Sequence, residues 1–271
     1  MSKVAIVRGE RSVETVEKAV NLGGGLKHLT DRPVLIKVNF IARKTWNTGA
    51  TTDPIVVEAL IKALKPVTKV SVVESDATTT NADSAFTITG MDSVCRKYDV
   101  PFINLRRETE KVMVNVHDWD SLSEIELPKI VLESYVVSAA KLKTHSETQV
   151  TLGMKNMFGL LPDKFKAKYH FKGIDKVIVD INSVVRPDFT VIDGFVGMEG
   201  RGPVHGEPVR MDLIIAGRDP VATDAIAARV MGFDPVKIYH INRAQERGIG
   251  RFSDIEIVGE KLNDVKRVFD R

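Results

Sequence analysis

The sequence predicts an α/β protein: a mainly parallel, Rossmann-like sheet flanked by helices, with a short antiparallel β excursion near residues 100–133. Three observations carry that expectation. Short apolar runs rich in Val and Ile alternate with amphipathic helical repeats along most of the chain. Asp-Pro pairs, Asp53-Pro54 and Asp219-Pro220, stand where helices begin, the Asp as cap and the Pro in the first turn. Polar residues cluster where apolar runs end, which is where open α/β sheets present ligand groups.

At 271 residues and 43% hydrophobic content the chain buries a full core. It is expected to form a single α/β domain over 1–271, with two lobes meeting near 135–172 as the alternative arrangement. Lys and Arg number 39 against 36 Asp and Glu, a net charge of +3. With only 6% aromatic residues, this argues against a nucleic-acid partner, which calls for a stronger basic excess or interleaved aromatics. Cys95 is alone, so this chain carries no disulfide framework and no cysteine-ligated cluster, and a cytoplasmic location is expected. No window approaches 18 uncharged apolar residues, so no membrane span is expected.

Taken in order, residues 3–8 (KVAIVR) form a strand, and a helix starts at Ser12 with Val13, Val16 and Val20 on one face. Gly23-Gly24-Gly25 stops that helix; a dinucleotide loop would need the glycines between a strand and the next helix. Residues 33–40 (PVLIKVNF) are a second strand ending in Lys37 and Asn39. Behind a loop, Asp53-Pro54 opens a helix with Ile55, Val56, Ala59, Leu60 and Ala63 inward, where Thr51 and Thr52 offer hydroxyls to an anion at the helix N-terminus. Residues 69–74 (KVSVVE) form a third strand, with Glu74, Ser75 and Asp76 at its end, and helical patterns follow at 82–88 and 91–98, where Cys95 packs.

Residues 100–133 switch to short alternating runs, PFINL, KVMVNV and SEIELPKIVL, read as the antiparallel excursion. A buried strand, YVVSAA at 135–140, then feeds the stretch 141–172, KLKTHSETQVTLGMKNMFGLLPDKFKAKYHFK. That stretch holds seven Lys and two His against two acids, interleaved with Gly153, Asn156 and Gly159. Glycines let backbone approach a ligand, and ammonium groups suit an anion, so this is the expected site. A helix at 173–184 follows, then a strand at 188–192 ending at Asp193. Residues 194–206 hold five glycines beside Glu199, Arg201 and His205, the pattern of a ligand loop or lid that includes Gly200 and Gly202. The remainder reads as a strand at 211–216, helices opened by Asp219-Pro220 and Asp234-Pro235, a strand at 254–258 and a charged tail.

The strings KVNF, TTDP, VVESD, KLKTH, TLGMKNMFG, IDGFVGMEGRGPVHG and AGRDPVATDA together resemble the DUF362 family, over about residues 3–250. A more distant similarity is to the Rossmann-like lobe of the nickel-pincer lactate racemase family. That resemblance implies a nickel-pincer nucleotide anchored on Lys155, with His145 as acid/base and His170 as metal ligand. His145 stands ten residues before Lys155 and His170 fifteen after it, spacings close to that family's. The segment around Lys155 departs from the racemase pattern, being a helix start where the family has a Gly-Gly-rich loop.

The resulting expectation is a protein, enzyme or binder, that takes a small anionic metabolite bearing phosphate or carboxylate, or a bound nucleotide cofactor. His145, Lys155 and Asp193 are its expected catalytic groups. Lys37, Asn39, Thr51, Thr52, Glu74, Lys141, Lys143, Asn156, Gly200 and Gly202 are expected to hold the ligand or cofactor. His170, His205 and Glu199 are expected to hold a divalent metal. The alternative is a non-catalytic anion- or metal-binding accessory of a redox partner protein; a homo-oligomer is compatible with either.

Overall fold

Most of the apolar runs pair into one mixed sheet because its central strands bury both faces and must find helices above and below. The computed structural model describes residues 1–29 and 31–271. Its strands are β1 (Ser2–Arg8), β2 (Val34–Lys37), β3 (Val70–Glu74), β4 (Phe102–Asn104), β5 (Lys111–Asn115), β6 (Glu124–Pro128), β7 (Tyr135–His145), β8 (Gln149–Thr151), β9 (Phe189–Glu199), β10 (Glu207–Gly217) and β11 (Ile255–Gly259). Among the described residues the main sheet has nine strands in the order β11-β1-β10-β9-β7-β2-β3-β4, with β8 added antiparallel to β7.

From β9 to β4 every neighbour along that path is parallel. β1 and β10, and β10 and β9, run antiparallel. The sheet is thus mainly parallel, flanked by helices, as the sequence pattern predicts. The excursion differs in extent: β4 joins the main sheet parallel to β3, and only β5 and β6 form the separate antiparallel ribbon.

The helices are α1 (Val13–Leu22), α2 (Pro54–Leu64), α3 (Ala82–Ile88), α4 (Met91–Tyr98), α5 (Lys129–Leu132), α6 (Gly153–Asn156), α7 (Ala167–Phe171), α8 (Ile174–Val184), α9 (Pro220–Val230), α10 (Tyr239–Glu246) and α11 (Leu262–Val265). Their ends follow local chemistry. Ser12 Oγ accepts from Thr15 N, Asp53 Oδ1 from Ile55 N, and Asp219 Oδ1 from Val221 N and Ala222 N. The inward face of α2 is turned from the expected stripe: Val57, Ile61 and Leu64 join Val56, Ala59 and Leu60, while Ala63 is exposed. Helices α1, α2 and α4 cover one face of the sheet, and α8, α9 and α10 cover the other.

Two strands run further than their apolar cores. β7 continues through Lys141, Lys143 and His145, all buried, and β9 continues through Glu199 to meet β10. The glycine-dense segment is therefore divided: residues 194–199 belong to strand β9, and residues 200–206 form the hairpin tip. Glycine is required there by close packing: a Cβ at Gly194 would meet Leu213 O at 2.9 Å, and one at Gly197 would meet Leu142 O at 2.8 Å. No helix among the described residues is long and apolar enough to cross a membrane.

Candidate functional site

Side chains alternate along β7, so Val137, Ala139, Lys141 and Lys143 share the face beneath α2, and β2 sends Leu35 and Lys37 to the opposite face. The carboxyl ends of β2, β3 and β7, roofed by α6 and the turn after it, enclose a cavity of about 260 Å³. Lys37, Asn39, Glu74, Lys143, His145, Lys155, Asn156 and Lys166 line it, with Phe158 and Gly159 in the roof and His170 at the rim.

An amide relay fixes the floor. Asn156 Nδ2 donates to Lys37 O (2.9 Å) and Ser138 Oγ (3.1 Å), and its Oδ1 accepts from Asn39 Nδ2 at 3.1 Å. Asn39 is thereby oriented to accept from Lys143 Nζ at 2.9 Å, and Ala50 O accepts from the same nitrogen at 2.6 Å. Lys37 Nζ pairs with Glu74 Oε1 at 2.7 Å. Glu74 in turn accepts from Phe40 N and Ser75 N, both at 3.0 Å. A Cβ on Gly159 would collide with Lys37 Nζ and lie 2.5 Å from Glu74 Oε1, so glycine is what lets the roof close on this pair. Lys166 Nζ donates to Ser75 Oγ at 2.5 Å, and Lys155 Nζ stands 5.5 Å from the centre of the Phe158 ring.

The electrostatics are one-sided. Among the described residues four lysines face the cavity, and Glu74 alone forms an ion pair with one of them; the rim carboxylate Glu147 is bonded to His170 Nδ1 at 2.7 Å. Burial lowers all four ammonium groups, because the charged form loses its hydration. Lys155 and Lys166 fall to about 8, each chiefly by burial. Lys143 falls well below the usual lysine range, by burial first and then by the Lys155 and Lys141 charges. His145 is pushed down to about 2 by burial and the neighbouring Lys155 and Lys143. Its Nδ1 accepts from Glu147 N (3.1 Å) and Thr148 N (3.3 Å), so the neutral ring carries its proton on Nε2. Held in this way, the His145 ring turns its Nε2–H, and not its lone pair, away from the Glu147–Thr148 backbone.

Half of the expected residues lie elsewhere. Lys141 Nζ pairs with Asp193 Oδ2 at 2.7 Å, both fully buried. Asp193 also accepts from Asp53 N, and Asp53 takes a two-pronged contact from Arg11 at 2.6 and 2.7 Å. That closed chain does not reach the cavity. The Thr51 hydroxyl donates to Lys44 O and the Thr52 hydroxyl to Ala139 O, so neither is free for an anion. Glu199 pairs with Arg267 at 2.9 Å, tying the hairpin to the C-terminal segment. Gly200 and Gly202 hold the hairpin tip against β7: Thr144 Oγ1 donates to Gly200 O at 3.0 Å, and Ser146 N to Gly202 O at 3.3 Å. His205 is exposed in the tip.

The expected metal set of His170, His205 and Glu199 does not assemble. Among the described residues no group of three or more His, Cys, Asp or Glu is placed to hold a metal ion. The pincer reading fares unevenly. His145, Lys155 and His170 share the cavity, but Lys155 rides a helical turn whose N-terminal amides, Gly153 N and Met154 N, are bound at 2.8 Å by Asp224. Lys166 is what the sequence reading missed. It sits in a row with Lys164, Lys168 and Lys172, and only the fold shows that it turns inward while the others stay exposed.

An α/β protein with a lysine-walled cavity at the carboxyl rim of its parallel strands is the class these features define. The chain belongs to the DUF362 family, a domain of unknown function whose profile matches residues 34–229. Among similar proteins is a thylakoid-associated protein of Synechocystis sp., 27% identical over 221 residues, which is 79% of this chain and 67% of the relative. Among solved structures is the lactate racemase apoprotein from Thermoanaerobacterium thermosaccharolyticum, with a TM-score of 0.42 and 11% identity. The alignment covers 91% of this chain and 57% of that one, and a likeness this weak carries no argument about the site.

Proposed function

We propose that this protein takes a small anionic metabolite, bearing phosphate or carboxylate, into the lysine-walled cavity and acts on it there. The observation that carries the reading is the unpaired charge: Lys155 and Lys166 face the cavity with no ion pair among the described residues, the carboxylates of Glu147 and Asp175 for the first and of Glu74, Asp163 and Asp76 for the second acting on them only without contact. A buried cation without a counter-charge is costly, and an anionic ligand would offset that cost. His145 Nε2–H adds a neutral donor for a ligand oxygen. A cytoplasmic setting is the location proposed with this reading; Cys95, whose thiol burial pushes up to about 12, is an unreactive packing group in it. The relative's name, a thylakoid-associated protein, suggests association with thylakoids instead, and fractionation of the native cell decides between the two.

Thermal unfolding with inorganic phosphate, pyruvate and nucleoside monophosphates, each matched in ionic strength with chloride, tests the reading. Wild type is expected to be stabilised by at least one of them, and Lys155→Met to lose that shift while keeping a wild-type circular dichroism spectrum. Shifts no larger than chloride gives, or shifts indifferent to Lys155→Met, would sink it. Mass and elemental analysis of the purified protein should find Lys155 unmodified and no stoichiometric nickel. An adduct on Lys155 would move the reading to an anchored nucleotide.

A further inference from the structure

The cavity lysines are not equivalent. Lys37 has Glu74, and Lys141, just outside, has Asp193; each is an ammonium held by a carboxylate. Lys155 and Lys166 lie toward the roof, against the Phe158 ring. Lys143 differs from all of them. It is wholly buried on β7, pairs with no carboxylate among the described residues, and its only polar contacts are two acceptors, Asn39 Oδ1 and Ala50 O.

An amine that gives two protons to two fixed acceptors, inside a ring of other cations, has its remaining position on nitrogen turned away from the protein's acceptors. Desolvation and adjacent positive charge both favour the neutral amine, which is the nucleophilic form of lysine. The amide relay from Asn156 through Asn39 gives that nitrogen a defined orientation.

We infer that Lys143 is the reactive amine of this cavity and forms an imine with an aldehyde or ketone whose carboxylate or phosphate is held by Lys155 and Lys166. The inference rests on the anion-binding reading above and adds the carbonyl group to the ligand's description. The Lys143 lone pair forms the C–N bond while the carbonyl π pair moves to oxygen. The two amine protons and that oxygen leave as one water, so no oxidant or further reactant is needed. The imine, once protonated, keeps one N–H for the Asn39 oxygen and draws electrons from the adjacent carbon, the usual means of labilising a C–H or C–C bond beside a carbonyl.

The test is reductive trapping. The whole protein is treated near neutral pH with one equivalent of pyridoxal 5′-phosphate, a probe with one aldehyde and one phosphate, followed by borohydride, and the modified peptide is mapped by mass spectrometry. The same labelling is repeated with excess inorganic phosphate, and on Lys143→Gln and Lys155→Met. The expected result is a single reduced adduct on Lys143, lost in Lys143→Gln, weakened in Lys155→Met and suppressed by phosphate. Surface lysines, charged near neutral pH, should react far less.

If phosphate stabilises the protein but the adduct maps to Lys155 or to the surface, the amine assignment is overturned and the anion reading stands. If Lys143 is labelled regardless of phosphate, the joint site is overturned and the anion reading fails with it. Should Lys143→Gln fail to fold, the mapped position on wild type, with and without phosphate, decides alone.

Discussion

Two networks of buried charge lie side by side at the carboxyl end of β7, and they are built to opposite ends. Beneath α2, Arg11, Asp53, Asp193 and Lys141 form a chain in which every cation meets a carboxylate. Across the sheet rim, Lys37, Lys143, Lys155 and Lys166 share one paired carboxylate, Glu74. The first network satisfies itself and leaves no space; the second surrounds a cavity and remains positive. Buried charge alone therefore does not mark a site in this protein. Buried charge left without an ion pair is the ground on which the cavity is proposed as the site.

The contrast is breakable, and the largest effect should come from the closed network. Lys141→Met strands Asp193 beside Asp53 without a cation, and removing one member of such a buried pair typically costs about 3–5 kcal/mol. Urea unfolding should show that loss, with phosphate stabilisation of the surviving fold unchanged. Lys155→Met should do the reverse. Its unliganded stability should be equal to or above wild type, while the gain from a saturating anion, about 2.7 kcal/mol at a hundredfold excess over Kd, disappears. Gly159→Ala drives a methyl into the Lys37–Glu74 pair, an overpacking expected to cost about 1–3 kcal/mol and to weaken anion binding as the roof lifts. The smallest effect belongs to the far end of the hairpin: Glu199→Gln removes the charge that pairs with the exposed Arg267 and weakens the long contact from Asp270 N, and should change stability by about 0–1 kcal/mol, with binding intact. A Glu199→Gln variant that lost ligand binding would restore Glu199 to the site.

How much of this was legible in the sequence follows from which interactions are local. Helix starts at Ser12, Asp53 and Asp219 were readable because a cap bonds residues two or three positions away. The concentration of site groups in 141–172 was readable because β7, α6 and the Lys166 turn are consecutive. The division between Lys141 and Lys143 was not. Both point beneath the same helix, and what separates them is the neighbouring strand, which sets Asp193 against the first and leaves the second to Asn39. The glycines from 194 to 206 serve two ends that the sequence does not separate: Gly194 and Gly197 pack against Leu213 O and Leu142 O within β9, while the tip around Gly202 brings Pro203 to the cavity wall. The outward ends of β9 and β10 hide their strand character because their partners are each other.

The most direct test of the central claim needs no knowledge of the natural ligand: unfolding free energy measured from pH 7.5 to 9, in chloride and in phosphate at equal ionic strength. Lys155 and Lys166 titrate near 8 when folded and near 10.5 when unfolded, so between those values the unfolded chain binds more protons. Stability in chloride should therefore rise with pH across this range. Phosphate should stabilise most at pH 7.5 and progressively less toward pH 9, as the ammonium groups that hold it lose their charge. The double variant Lys155→Met/Lys166→Met should abolish the advantage of phosphate and shrink the rise in chloride, leaving the part contributed by the buried Lys143 amine. Stability that ignores pH in this window, together with no advantage of phosphate over chloride at pH 7.5, would mean that the cavity is not an uncompensated cationic site.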